Sequence, residues 1–312
     1  MKIKQIYRIK RESEPVYNLT VEDNHNYFCN GILVSNCHQL KKMNNVAKYI
    51  RKMRTNIRFG LTGTLPEEEV DVWQTKGITG PVLASEDIVD LQARGVIANV
   101  SLHCVRLMLP DKNLQVENDY HGEWSFNETH TGSNQLITTF VNRLKGNTLL
   151  LFSHVEHGKK LFQLIENSEK HLIYGKTELE DRETARALME TKTGMVIVAN
   201  MACFSTGINI KNMHNIVFGA STKSSVRLCQ SIGRGLRMRD DKDHVNIIDI
   251  HHNTDYSGKH FSRRKEIYSE AYGINNIKVD DIKCLPTTEL PKIVDVAEDK
   301  DYLDELYENI GD

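Results

Sequence analysis

Cysteine pairs with metal-ligand spacing are missing from this 312-residue chain. The cysteines are Cys29, Cys37, Cys104, Cys203, Cys229 and Cys284. Without a C-x-x-C pair they argue against a zinc site or a disulfide framework and favour a reducing compartment. The sequence also lacks an apolar run of transmembrane length, and its charged first residues do not resemble a signal peptide. We therefore expect a cytoplasmic protein with no membrane partner.

A charge excess of either sign is missing as well. The formal net charge is −2, so a nucleic-acid-binding surface could only be a local patch. With 39% hydrophobic and 26% charged residues, the composition is typical of globular domains. The length allows two domains of ordinary size and a smaller third one.

The first 36 residues show the period-two alternation of β-strands. Asn30-Gly31 separates two apolar runs, and this dipeptide favours a hairpin because a type I′ turn needs positive φ at both central residues. The segment is too short to bury a core alone. We predict a small all-β segment over 1–36 that needs a partner.

From about residue 37 the pattern becomes that of an α/β protein. Helices are predicted over 39–54, 88–94, 133–144, 156–167, 178–190 and 226–237. Short apolar runs that indicate strands cover 57–61, 100–107, 148–152, 195–199, 215–218 and 245–250. Apolar runs of this length between helices are typical of a buried parallel sheet.

The same pattern suggests domain boundaries. Residues 37–99 are predicted to be the end of a first α/β domain, and 100–270 a second, doubly wound one. Residues 110–131 are polar and predicted to form a loop or hinge. Residues 271–312 are predicted to be an extension with an acidic tail.

Asn36 and Cys37 form a pair with a specific chemistry. An Asn side-chain amide can attack its own backbone carbonyl and break the following peptide bond, and an adjacent Cys offers a thiolate nucleophile. Alone, the pair is more often an ordinary Asn-Cys. Its context, VYNLTVEDNHNYFCNGILVSN before Cys37, resembles the C-terminal splicing region of inteins over 15–37.

The intein resemblance implies a HINT-type fold for residues 1–36. It implies that Asn36 cyclises, that Cys37 accepts the branched ester as the first residue of the flanking protein, and that His25 assists. Ser35 stands where inteins usually have His, so cyclisation would depend on His25 or on backbone contacts. The given sequence shows no N-terminal intein half before this segment. The resemblance therefore implies a split intein that splices in trans with a separate chain.

A second set of motifs starts directly after the junction. Cys37-His38-Gln39 resembles the end of the helicase D-E-x-H motif, in which Asp positions Mg²⁺ and Glu polarises the attacking water. The two carboxylates would then belong to the partner chain. About 25 residues later, Gly60-Leu-Thr-Gly-Thr64 resembles helicase motif III. That resemblance implies that Thr62, Gly63 and Thr64, with His38, couple nucleotide binding to nucleic-acid binding.

Motifs IV and V follow in order. TLLLFSH over 148–154 ends a predicted strand, where ligands bind open α/β sheets, and resembles motif IV. This implies nucleic-acid contacts from Ser153 and His154. NMACFSTGINIKN over 200–212 resembles motif V. It implies nucleic-acid contacts from Ser205 and Thr206, and nucleotide coupling through Gly207 and Asn209.

QSIGRGLR over 230–237 resembles motif VI, Q-x-x-G-R-x-x-R. Arg234 and Arg237 are three residues apart on one helical face, so both guanidinium groups can reach a nucleotide. The resemblance implies that they stabilise charge on the γ-phosphate, together with Gln230. Alone, this segment could be a solvated basic helix, but the motif order favours the functional interpretation.

Two further features allow a structural and a functional interpretation. The densest basic cluster is Lys259, Arg263, Arg264 and Lys265. It predicts either a solvated helix or a surface that follows phosphates, with Arg263 and Arg264 as nucleic-acid contacts. The tryptophans Trp73 and Trp124 are predicted to be core residues, with a base-stacking wedge as the alternative.

Residues 37–312 as a whole resemble the C-terminal half of superfamily-two DNA helicases of the phage UvsW type. YGKT over 174–177 is not a P-loop, because Lys170 stands where that motif needs Gly. The resemblance implies a RecA-like fold and a trans-splicing precursor. Its partner would be an N-terminal helicase half that carries the N-terminal intein fragment, the P-loop and the Asp-Glu pair.

The ligated enzyme would use ATP and Mg²⁺ to unwind or remodel single-stranded or branched DNA in the cytoplasm of a phage-infected bacterium, and the isolated chain would be inactive as an ATPase. The alternative is a non-catalytic nucleic-acid-binding RecA-like domain with an inactive intein remnant. An RNA substrate is also open, because such enzymes grip the backbone more than the bases.

Overall fold

The computed structural model describes residues 26–29, 32–36, 48, 51–52, 58–62, 65, 68–114, 119–204, 210–222, 224–239 and 242–285. The chain divides into two compact units, Met1–Pro81 and Val82–Asp312. Most of the helix predicted over 39–54 and the acidic tail beyond residue 285 lie outside the described residues. Among the described residues, no helix combines the length and the apolar character needed to cross a membrane.

The described part of the first unit contains a three-stranded sheet and a helix after it, and residues 48, 51 and 52 are also helical. Its strands are β1 (Asn26–Cys29), β2 (Ile32–Asn36) and β3 (Arg58–Leu61), and its helix is α1 (Glu69–Thr79). β1 and β2 pair antiparallel with Cys29 opposite Ile32, as the hairpin prediction requires. β2 also pairs in parallel with β3, which places Ser35 opposite Gly60 and Asn36 opposite Leu61.

The second unit is built on a seven-stranded parallel sheet of order β10-β4-β9-β8-β5-β7-β6. Its strands are β4 (Asn99–Met108), β5 (Thr148–Phe152), β6 (Lys170–Ile173), β7 (Val196–Asn200), β8 (Asn215–Phe218), β9 (His244–His252) and β10 (Val279–Lys283). Its helices are α2 (Ile88–Ala93), α3 (Tyr120–Thr129), α4 (Thr131–Arg143), α5 (Val155–Leu164), α6 (Leu179–Thr191), α7 (Met201–Phe204), α8 (Ser225–Gly235) and α9 (Asp255–Tyr272). The predicted parallel α/β sheet is confirmed.

Helices cover both faces of this sheet, because successive strand residues point to opposite sides. In β5, Leu149 and Leu151 join a core with α6, α8 and α9. Leu150 and Phe152 join a second core with α4 and α5. All five residues of β5 are buried, which explains why the strand reads as a continuous apolar run.

The structure differs from the sequence-based prediction over 110–131. This segment contains helix α3, whose N-cap Asp119 accepts a hydrogen bond from the Gly122 amide at 2.7 Å. The buried residues of α3 are Glu123 and Asn127, so the helix has no apolar stripe that periodicity could detect. β10 lies beyond the predicted boundary at residue 270, so the sheet extends into the segment predicted to be an extension.

Two predictions about individual side chains are corrected. Trp73 on α1 is 65% exposed and is not a core residue. Arg264, predicted to contact nucleic acid, has no exposed surface. Its Nε and Nη2 atoms each donate to Asp249 at 2.7 Å, so the guanidinium is occupied inside the protein.

A buried network around Asp249 connects β9 to α9. Tyr268 donates its hydroxyl to Asp249 at 2.6 Å, and Arg264 Nη1 donates to the Thr222 carbonyl at 3.0 Å. Burial alone would raise the pKa of Asp249, but the charge and hydrogen bonds of Arg264 hold it below its ordinary value. Asp249 is therefore ionised and fully paired.

We expect Arg264→Met to destabilise the second unit by about 3–5 kcal/mol, because it leaves the buried Asp249 carboxylate without its counter-charge. Arg263→Met is the matched control. Arg263 pairs with Glu266 at the surface, where water and salt screen the ion pair, so its loss should change stability little. Urea unfolding of both variants measures the difference, and equal midpoints would contradict the assignment.

Candidate functional site

Helix α8 presents two chemically different sides. Leu228 and Ile232, with Leu236 directly after the helix, follow one another at four-residue intervals and pack into the core against the sheet. Gln230 and Arg234 are also one turn apart, on the opposite side of the helix, and both are only partly buried. The core-facing leucines and isoleucine therefore fix the orientation in which α8 displays Gln230 and Arg234.

The two glycines of the motif on α8 have different surroundings. A Cβ on Gly235 would lie 2.8 Å from Ile216 Cδ1 and 3.1 Å from Val245 Cγ2, so this glycine lets the helix approach β8 and β9 closely. A Cβ on Gly233 would meet no atom within 4 Å. Among the described residues, steric crowding explains why position 235 is glycine, but it does not explain the glycine at position 233.

Arg234 and Arg237 are two partly desolvated positive charges close together. Burial, with a smaller contribution from the neighbouring charge of Arg237, lowers the pKa of Arg234 to about 10. Burial also lowers the pKa of Arg237, and Glu190 opposes this. Both groups remain protonated at neutral pH, and a bound anion would compensate their lost hydration.

This pair fits a phosphate group better than it fits a metal ion. Guanidinium groups donate to phosphate oxygens in a fixed fork geometry and cannot ligate a cation. Within the ranges that the structure describes, no three His, Cys, Asp or Glu side chains are grouped as metal ligands.

Ser153 and His154 lie directly after β5, at the carboxyl edge of the sheet. Asn200, the last residue of β7, donates its amide to the Ser153 carbonyl at 2.7 Å, which joins the ends of two neighbouring strands. The His154 ring Nδ1 lies 2.7 Å from a Glu128 carboxylate oxygen. The position at a strand end agrees with the sequence prediction, and a nucleic-acid contact there stays a prediction.

A cleft opens at this edge between α3 and the start of α9. Its walls include Trp124 and Tyr120 on α3, His154 after β5, and Tyr256 and His260 on α9. Sequence reasoning missed α3 and therefore missed this grouping. The available signal was Asp119, an N-cap residue that opens a helix whose buried positions are polar.

Glu123 holds the two walls of the cleft together. It is buried on α3 and accepts hydrogen bonds from the Tyr256 amide at 2.8 Å, the Ser257 amide at 2.7 Å and the Thr254 hydroxyl at 2.9 Å. These donors form the N-terminal end of α9, where the helix dipole favours a carboxylate. The contacts fix α3 relative to α9.

Several predicted site residues lie outside the described residues. They are His25, Cys37, His38, Gly63, Thr64, Ser205, Thr206, Gly207 and Asn209. Asn36 is the last residue of β2, and Thr62 follows β3 with partial burial. Arg263 is exposed on α9, which leaves it accessible to solvent, unlike Arg264.

A seven-stranded parallel sheet with helices on both faces fits a RecA-like helicase domain. Comparison with known proteins points to the same class. No protein-family model matches the chain. The ATP-dependent DNA helicase uvsW of Enterobacteria phage T4 is 28% identical over 232 residues, which cover 71% of this chain and 46% of the relative. The helicase/translocase subunit XPB of general transcription and DNA repair factor IIH from Dictyostelium discoideum is 23% identical, covering 63% of this chain and 25% of the relative.

Solved structures share the fold. The crystal structure of T4 UvsW aligns with a TM-score of 0.51 at 24% identity, over 72% of this chain and 48% of that one. Saccharomyces cerevisiae Dbp5 bound to RNA and ADP BeF3 aligns with a TM-score of 0.57 at 12% identity, over 89% and 63%. The similarities support a helicase C-terminal-type domain. The chain spans less than half the length of the curated relatives it matches.

The two glycines of α8 give a direct test of this geometry. We expect Gly233→Ala to stabilise the fold by about 0.5–1 kcal/mol, because alanine favours the helix and its Cβ meets open space. Gly235→Ala should destabilise it by about 1–3 kcal/mol, because its Cβ overpacks against Ile216 and Val245. Thermal unfolding compares the pair. A destabilised Gly233→Ala variant would show that Gly233 has a packing role.

Proposed function

We propose that this chain is the precursor of the C-terminal half of an ATP-dependent DNA helicase or translocase. The observation that carries the proposal is the arrangement of Gln230 and Arg234 on α8 and of Arg237 two residues after its end, in the order of motif VI on a RecA-like sheet. The two arginines are partly buried, and the space beside Gly233 is open. Both features suit a nucleotide phosphate that binds from outside the described unit. The helicase relatives support the same activity.

In the proposal, Arg234 and Arg237 stabilise negative charge on the phosphates of ATP, and Gln230 helps to position them. ATP supplies the energy of phosphoryl transfer when it is bound, and Mg²⁺ would be held by carboxylates of a partner polypeptide. His38, Thr62, Gly63, Thr64, Gly207 and Asn209 would couple nucleotide binding to the nucleic acid. Ser153, His154, Ser205, Thr206 and Arg263 would contact single-stranded or branched DNA.

We also propose that residues 1–36 are the C-terminal fragment of a split intein. Asn36 would cyclise with help from His25, and Cys37 would accept the partner polypeptide. The partner would be an N-terminal helicase half that ends in Asp-Glu and carries the P-loop and the N-terminal intein fragment. Support comes from the residue pattern over 15–37 and from Cys37-His38, which would complete a D-E-x-H motif if the partner ended in Asp-Glu.

The pairing of β2 with β3 adds a geometric argument. Ser35 and Asn36 lie beside Gly60 and Leu61, immediately before Thr62 of motif III. In the ligated chain, Asp and Glu would precede Cys37 and would take the chain positions of Ser35 and Asn36. Two carboxylates would then lie next to motif III, where the metal and the attacking water are needed.

The domain arrangement that follows is also part of the proposal. Residues 37–99 would complete a first RecA-like domain, with the second over 100–270 and the extension after it. Because one relative is a phage protein, the proposed setting is the cytoplasm of an infected bacterium.

Intact mass spectrometry tests the splicing step. The purified chain is mixed with a candidate N-terminal half that ends in Asp-Glu followed by its intein fragment. We expect loss of residues 1–36 and a new polypeptide that ends at Asp312. Asn36→Ala should abolish release of the fragment because it removes the cyclising amide, and Asn45→Ala is the matched control. If the cognate partner leaves the mass unchanged, a nucleic-acid-binding domain with an inactive intein remnant becomes the better account.

ATP turnover by the ligated product tests the helicase assignment. We expect Arg234→Lys and Arg237→Lys each to lower kcat by about 100-fold or more, because lysine cannot reproduce the planar fork. The unspliced precursor should not turn over ATP. Arg186→Lys should leave kcat unchanged, because Arg186 is a partly exposed residue of α6 that pairs with Glu183. Full activity of Arg234→Lys would exclude this helix from the ATP site.

A further inference from the structure

The cleft at the carboxyl edge contains an ordered group of aromatic rings. Trp124 and His154 are stacked, with ring centroids 4.0 Å apart and an interplanar angle of 18°. Tyr120 meets Tyr256 edge-on at 5.5 Å and lies 5.8 Å from the His260 ring. The grouping joins α3, α9 and the end of β5 on one side of the second unit.

Hydrogen bonds fix the orientation of three of these rings, those of Trp124, His154 and His260. Trp124 donates its indole Nε1 to His121 Nδ1 at 3.0 Å. His154 Nδ1 is 2.7 Å from Glu128, and His260 Nδ1 is 2.9 Å from the Ser221 hydroxyl. A ring whose polar atom is held in this way has little rotational freedom left to lose when a ligand stacks on it.

The rings are held in place without being buried. The Tyr120 residue is 40% exposed, and the His154 side chain is 44% exposed. Packing alone would favour covering these surfaces, since burial of apolar area stabilises a fold. Trp124 and His154 already use one face each on the other, and a planar ligand could extend this stack on the faces that remain.

The charges around the cleft also suit a nucleic-acid strand. The Glu123 carboxylate is buried and used by the start of α9. Burial raises the pKa of Glu128, which opposes its ionisation, although His154 acts against that shift. The exposed Lys259 lies at the rim with its Nζ 5.1 Å from the Tyr256 ring centroid. The phosphates of a strand bound along the rim would therefore contact the positive charge of Lys259.

We propose that Trp124, His154 and Tyr120 form a stacking site for unpaired bases of a single-stranded nucleic acid, with Lys259 contacting its backbone. The inference rests on the proposed function, in which the enzyme generates unpaired strand. The inference goes beyond the proposed function because it adds contacts to the bases, made largely by residues of α3. Enzymes of this class are otherwise expected to contact mainly the nucleic-acid backbone. Ser153 and His154 then belong to a larger binding surface than motif IV alone.

Fluorescence can test the site in the full-length chain, because the sequence has only two tryptophans. In a Trp73→Phe chain, Trp124 is the sole tryptophan. We expect a 12-nucleotide oligo-dT to quench its emission in a saturable way. A 12-unit abasic strand has the same phosphates but no bases, and it should bind more weakly and quench little. This comparison needs no change within the cleft.

Substitutions then measure the contribution of each ring. Trp124→Ala and Tyr120→Ala should each weaken oligo-dT binding by roughly 5- to 150-fold in fluorescence anisotropy, the range of a lost base stack. Both should leave the affinity for the abasic strand nearly unchanged. Lys259→Gln should weaken both strands alike. Thermal unfolding of each variant reports whether the fold is retained, and Trp73→Phe is the matched control for loss of a tryptophan.

Equal affinity for oligo-dT and the abasic strand would overturn the inference, since the cleft would then contact the backbone only. Absence of Trp124 quenching at saturating oligo-dT, or absence of any binding at low salt, would overturn it as well. Neither result bears on splicing or on ATP turnover of the ligated product. Failure of the stacking site is therefore distinguishable from failure of the proposed function.

Discussion

The salt bridge between Arg264 and Asp249 connects the longest helix of the second unit to its sheet, and neither side chain has exposed surface. Removing two charges from water is costly, so such a pair is favourable only when its geometry is good and the remaining hydrogen-bonding groups have partners. Here both carboxylate oxygens accept from Arg264, Tyr268 adds a further donor, and the Thr222 carbonyl accepts from the guanidinium. These hydrogen bonds fix the position of α9 along β9. Because the start of α9 holds Glu123, it also determines where α3 lies.

Helix α8 depends on the same sheet in a different way. Its apolar side and Gly235 press against β8 and β9, and that packing turns Gln230 and Arg234 away from the core. Partial burial of Arg234 and Arg237 is unfavourable because both side chains lose hydration. The apolar contacts of α8 do not compensate the two charges. Their pKa values, lowered by burial, record that cost. In the proposed function, the phosphates of ATP would offset that cost.

The sequence predicts the sheet well where burial is complete. The predicted ranges 148–152 and 215–218 coincide with β5 and β8, because strands buried on both faces consist of continuous apolar runs. The edge strands β6 and β10 have partly exposed residues and carry no such signal. Helix α3 escaped prediction because it buries Glu123 and Asn127, which form hydrogen bonds rather than apolar contacts.

The candidate site shows the same division between local and long-range information. The helix predicted over 226–237 is α8, which places Gln230 and Arg234 on one side, but α8 ends at Gly235 and Arg237 follows it rather than lying on the same helix. The sequence could not show that the adjacent residues Arg263 and Arg264 differ in exposure. Arg263 is exposed, whereas Arg264 is completely buried. The difference arises from Asp249, fifteen positions earlier in the chain, and only the tertiary structure brings that carboxylate beneath α9.

One segment of chain connects the two parts of the site. Residues 219–222 leave the carboxyl end of β8, and three of them line the aromatic cleft. Ser221 lies within hydrogen-bonding distance of His260, and the Thr222 carbonyl accepts from Arg264. Helix α8, which carries Arg234, begins only three residues later at Ser225. Arg264 donates to the Thr222 carbonyl and to the Asp249 carboxylate, so the buried salt bridge fixes the chain at Thr222, between the aromatic cleft and the start of α8.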